Sequence, residues 1–378
     1  MTLTGSTTLI LRLGTFLLCL AAPQLAAAQD PAKPADPAPD PDKVTLNFFK
    51  GTEVGGLVDG YYLWNSTKTS PSFHAFDATH NNFDVSMAEV WLAKSPATDS
   101  PVGYKIRLNF GHASSVYTPP GDSDYKYIEE AYGSYMIPAG KGLQIDFGKF
   151  VTNAGAEVIE AKDDWNYSRS LLFQNAIPYF HAGLRLTYSA NDKLTLMGGV
   201  VNGWNTVIDQ NTGKTVIASV TIKPTGALSI VENYIGGPEQ ANNSGEWRHL
   251  SDTVISYTVN PVVSLMANYD YGRDAVNNLS QTWQGIAGYA KIQATKAFAV
   301  VPRVEWFKDS NAFMTGTVQT LKDATLTLEI KPADNFMWRI EYRGDFSDKS
   351  PFIDSVGKAQ RTQNMLILGF LYSFSSKS

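Results

Sequence analysis

Charged side chains of both signs gather at two kinds of place in this sequence. One is the run from Val151 to Tyr179, where Glu157, Glu160, Asp163 and Asp164 stand with Lys162 and Arg169 among them. The other is a set of alternate positions, as in NFMWRIEYRGD (Asn335 to Asp345), where Arg339, Glu341, Arg343 and Asp345 interleave with Trp338, Ile340 and Tyr342. The chemistry open to these groups is electrostatic: fixed acids facing fixed bases across a watery gap set up a transverse field that sorts solutes by charge and size. Bond-making chemistry finds less to work with. His74, His80, His112, His181 and His249 fall in no nucleophile or metal-ligand motif, and a triad assembled across strands is the one catalytic arrangement that spacing leaves open. Loss of a hydrolase activity on replacing His112 or His181 would be its sign. The sequence therefore reads as a non-enzyme with no catalytic residue, no metal ligand and no cofactor.

The elements that must position the charges are strands, because a strand sends successive side chains to opposite faces. YKIRLNFG sets Tyr104, Ile106, Leu108 and Phe110 against Lys105, Arg107 and Asn109, and FHAGLRLTY sets Leu184, Leu186 and Tyr188 against Arg185 and Thr187. ATLTLEIK repeats the pattern, and Arg303 joins the charged face of its own segment. About sixteen such segments of roughly ten residues follow one another, the length a tilted strand needs to cross a bilayer. Strands near Ala88 and Tyr289 break the parity, so bulges or displaced ends are expected there.

Connections alternate as well. Short turns at Ser95, Pro138, Ala190, Lys223, Asn260, Thr295 and Lys331 are separated by longer polar loops that begin near Asn65, His112, Val151, Trp204, Gly236, Arg273, Lys308 and Phe346. Short turns on one side and long loops on the other are the layout of an all-β, transmembrane, antiparallel up-and-down barrel, with 14 to 18 strands compatible with the boundaries. A soluble sandwich has no reason to sort its loops, and a propeller would repeat a blade motif that is absent. The apolar face then meets lipid and the charged face meets water inside. LILGFLYSF, with Phe374 near its end, is an aromatic final strand of the kind that barrel-assembly machinery recognises.

Arg12, the apolar run Leu13 to Ala22 and the small residues Ala26 to Ala28 predict a secretory signal over 1–28. Cys19, the single cysteine, lies inside it, so no disulfide is expected. DPAKPADPAPDPDK fits an extended periplasmic tether over 29–43, leaving 44–378 as the barrel. A net charge of −5 without a basic cluster excludes a nucleic-acid surface.

FDATHNNF, NYSRSLLF, NGW, YIGGPE and YDYGRD occur in an order that resembles the OmpL-like putative β-barrel porins of bacterial outer membranes. The resemblance spans nearly the whole barrel and implies a channel-type barrel in that membrane, without naming a solute. In general porins the third long loop folds inward. Here that loop would supply Glu157, Glu160, Asp163, Asp164 and Arg169 to a constriction, facing the lumen-wall residues Lys105, Arg107, Arg185, Arg303, Arg339, Glu341 and Arg343. Acids such as Asp146, Asp270, Glu305 and Glu329 share the wall, and the balance suggests a weak cation preference. Trp204 reads as an interfacial-belt residue, with sugar stacking by it or Trp165 as an alternative. The expected function is passive diffusion of small polar solutes, and the alternative is a closed structural or adhesive barrel whose loops bind a partner. Expected partners are outer-membrane lipid, the barrel-assembly machinery, small polar solutes and, by architecture, two further copies in a homotrimer.

Overall fold

The computed structural model describes residues 50–377, save 117 and 119–122. The segments read above as signal (1–28) and tether (29–43), and the first six residues of the expected barrel span, lie outside the described residues.

Strands follow the alternation in the sequence: β1 (Glu53–Asn65), β2 (Asn82–Lys94), β3 (Val102–Phe110), β4 (Ile128–Ile137), β5 (Leu143–Val151), β6 (Phe180–Asn191), β7 (Leu194–Val201) and β8 (Thr215–Thr225) form one half. The other half is β9 (Leu228–Gln240), β10 (Asn243–Thr258), β11 (Val263–Val276), β12 (Leu279–Thr295), β13 (Phe298–Asp309), β14 (Gln319–Ala333), β15 (Phe336–Ser347) and β18 (Thr362–Ser375). A two-stranded hairpin, β16 (Phe352–Ile353) with β17 (Ala359–Gln360), sits in the last long loop. The sixteen long strands close into an antiparallel barrel in which β18 pairs with β1, from Gly55 opposite Ser375 to Asn65 opposite Met365. Closure removes the edge strands that lipid could not satisfy.

Parity divides the wall as expected. Ile340, Tyr342, Leu366 and Leu368 point outward and are exposed, whereas Arg339, Glu341, Arg343 and Asp345 point inward and are buried. The parity break near Ala88 is a bulge: Asp59 faces Met87 but Gly60 faces Val85, so Ser86 is extra. At Tyr289 the register runs on unshifted from Tyr289 opposite Arg303 to Ile292 opposite Val300. Its parity is that of a lumenal tyrosine, which packs edge-on to Trp165 at 6.5 Å between centroids.

Two connections differ from expectation. The segments from Gly236 and Arg273, read as long loops, continue as strand up to tight turns at Ala241–Asn242 and Asn277–Asn278. Asn242, Asn277 and Asn278 all have φ between 53° and 62°, the left-handed geometry that two-residue hairpin turns need. Glycine, proline and asparagine there disguise tall hairpins as loops.

Candidate functional site

Loop 152–179 is the longest connection, and it lies against the inner wall. Its first residues hydrogen-bond to an amide and carboxylate ladder: Gly155 N–H donates to Asp252 (2.9 Å) and Asn153 to Asn233 (2.7 Å). Its middle crosses β13, β14 and β15. There Glu341 accepts the backbone N–H groups of Tyr167 (2.7 Å) and Ser168 (3.0 Å), and Glu305 accepts that of Leu171 (2.7 Å). Arg303 donates to the Ser168 carbonyl (2.6 Å), Arg343 to that of Arg169 (2.6 Å) and Arg339 to that of Asn166 (2.8 Å). Charged donors and acceptors on alternate strand positions thus satisfy a stretch of irregular backbone that water cannot reach. Gly369 on β18 makes room for the ring of Tyr167, which an added Cβ would strike. Tyr167 then donates to Asp59 at 2.7 Å.

Charged side chains of the loop are sorted by depth. Glu157 pairs with Arg303 (3.0 Å) and also accepts the N–H of Ser170 (2.5 Å). Glu160 contacts Arg107, which Glu89 and Glu129 also approach at 3.5 and 3.4 Å. Asp164 lies 3.6 Å from Arg169 and accepts the N–H of Val158 (2.9 Å). Burial, then the neighbouring Glu157, pushes the Asp164 carboxyl well above the usual carboxylate range, against the pull of Arg169. Asp163 and Lys162, paired at 2.6 Å, are the charged side chains of this stretch that reach solvent. Between loop and wall a recess of about 210 Å³ remains, edged by Lys105, Arg107, Glu130, Thr152, Glu157 and Tyr179.

A family model described as "Putative beta-barrel porin-2, OmpL-like" matches residues 51–374. The chain belongs to this OmpL-like porin family. Among solved structures it is similar to OmpT of Vibrio cholerae (12% identity, TM-score 0.59, covering 85% of this chain and 97% of that one). It is likewise similar to OmpF of Salmonella typhi (14%, 0.60, 85% and 97%) and to an anion-selective porin from Comamonas acidovorans (9%, 0.59, 85% and 99%). At such identities the likeness establishes the shared barrel fold. No curated protein matches the sequence. Family and fold together assign the porin to the bacterial outer membrane.

Of the residues singled out from the sequence, Glu157, Glu160, Asp164 and Arg169 come together with Arg107, Arg303, Arg339, Glu341 and Arg343. Two wall bases stand apart from the loop's carboxylates: Lys105 contacts Glu130, and Arg185 pairs with Asp146 at 2.9 Å while lying over Phe150. Trp204 is not a belt residue. It is partly buried beneath Arg248 and edge-on to Trp283, inside the outer mouth of the porin.

Sequence reading missed Glu129 and the inward packing of the first long loop, 66–81. A bulge between Arg107 and Leu108 makes Glu129 an extra residue and turns it inward beside Glu130. The adjacent acids, out of step with the alternation, were the signal. In the first loop His74 is buried between Asp77 (2.7 Å) and Asp345 (3.0 Å). Burial and Arg343 oppose its charge, but Asp77 and Asp345 prevail and raise its pKa above 6.5. A raised pKa contributes stability that is present below the unfolded value and is lost as pH rises through the folded one. Proteolysis of loop 66–81 is therefore expected to quicken above neutral pH and to lose that rise in His74→Gln. A rate flat with pH in the wild type would refute this account.

Proposed function

We propose that the porin is a passive channel for small polar solutes and ions, narrowed by loop 152–179. Glu157, Glu160, Asp163, Asp164 and Arg169 are then the constriction, held against Arg107, Arg303, Arg339, Glu341 and Arg343. What supports the reading is the anchoring of the loop's backbone to buried wall charges, an arrangement that keeps a loop inside a barrel rather than over it. Purified, folded protein in a planar lipid bilayer is expected to give discrete conductance steps. A folded barrel that gives none would sink this reading.

One observation favours the closed-barrel alternative: Phe76, Phe173, Trp283 and Phe313 pack together from three loops and the wall in the outer half of the lumen. The same recording separates the two. We further propose a homotrimer, the form named for one OmpT structure, and expect a threefold step when one particle inserts.

A further inference from the structure

Among the described residues the buried acids outnumber the buried lysines and arginines, yet acids and bases of the lumen are not equally wet. The acids Glu130, Asp146, Glu160 and Glu329 have side chains at most 8% exposed, whereas the bases Lys105, Lys162, Arg185 and Lys291 are 18–24% exposed. Asp163, at 53% with Lys162 beside it, and the partly exposed Glu53 are exceptions. Acids are spent beneath the loop, holding its N–H groups and the arginines. The charge that dissolved ions meet is therefore mostly positive, which the residue count hides.

This excess converges at one place. On the side of the short turns, beneath the third loop, lies a recess of about 480 Å³. The ring of Trp165 and the thioether of Met337 form its apolar part, both only partly buried. Glu329 is shared there between Lys291 and Arg339, each at 2.8 Å, Asp163 pairs with Lys162 at 2.6 Å and Asp164 also borders the recess, so three carboxylates face five bases. Lys296 and Lys331 at the rim have no ion-pair partner among the described residues. An aromatic wall beside uncompensated ammonium groups suits a ligand with a flat apolar body and a carboxylate.

We propose that this recess is a subsite for small organic anions with an aromatic body, and that the pore prefers anions over cations. It rests on the channel reading and departs from the weak cation preference expected from wall composition, because composition counts sealed acids as if they were wet.

The test uses benzoate and acetate as probes on the full barrel in a planar bilayer. In a potassium chloride gradient, the wild-type reversal potential should take the sign of chloride preference, and benzoate should reduce the current at lower concentration than acetate. Lys296→Gln with Lys331→Gln should weaken the benzoate block about fivefold. Trp165→Leu should weaken block by benzoate about threefold or more and leave that by acetate unchanged. Potassium preference in the wild type, or equal benzoate block in the lysine variant, would overturn the proposal. Should no steps appear at all, the channel reading fails, and calorimetric titration of benzoate into the detergent-folded barrel decides the subsite by itself. Heat of binding that the lysine variant loses supports it; no binding, or equal binding, overturns it.

Discussion

Arg303→Ala is expected to lower the unfolding free energy of the barrel by about 3–5 kcal/mol and to raise single-channel conductance. Arg303 is fully buried, and its guanidinium meets Glu157 at 3.0 Å, Glu305 at 3.0 Å and Asp323 at 3.4 Å. It also donates to the Ser168 carbonyl. Removing it strands three carboxylates with Arg343 as the remaining neighbouring cation, and it unties the centre of the loop. Leaving buried charge unpaired costs far more than the pair gained when it formed. Arg303→Lys should recover part of the loss, since a point charge cannot make the guanidinium's several directed bonds. Urea unfolding, followed by tryptophan fluorescence and by the heat-dependent gel shift, gives the stability; bilayer recording gives the conductance. A loss below about 1 kcal/mol would mean that the arginine's interactions contribute little net stability. Unchanged conductance with lost stability would mean that the loop does not narrow the pore.

Ile340→Arg should cost about 2–4 kcal/mol, whereas Phe346→Arg on the same strand should cost about 0–1 kcal/mol. Ile340 is exposed on the outer face between Trp338 and Tyr342, with Phe346 further toward the long loops. Arginine is already tolerated one residue away at Arg339 and three away at Arg343, on the lumenal face. A helix or a soluble sheet would show no such dependence on depth. Folding efficiency into phospholipid vesicles and urea midpoints measure both variants, with Ile340→Val as the control for packing. Equal costs at the two positions would contradict a lipid-facing wall with a hydrophobic centre.

Much of the architecture follows from short-range rules. Arg339, Glu341 and Arg343 alternate with Trp338, Ile340 and Tyr342, and that parity needs no knowledge of the partners across the sheet. The two misread hairpins show where local rules stop. Asn277–Asn278 suits either a loop or a tight turn, and pairing from Asp274 opposite Gln281 to Val276 opposite Leu279 decides for the turn. Glu129 faces inward because of a bulge, which depends on two strands together. Trp204 left the expected belt because Trp283 and Arg248, distant in sequence, offered it a covered site.

By itself, then, the sequence determined the barrel, its strand number within a narrow range, which face meets lipid and which loop is long and charged. Period-two alternation and turn residues are local, and a bilayer punishes a slipped register. Tertiary structure alone decided which charges are sealed and which stay wet. Glu157 finds Arg303 and Glu341 finds Tyr167 across more than a hundred residues of chain, and no pattern along the sequence encodes those meetings.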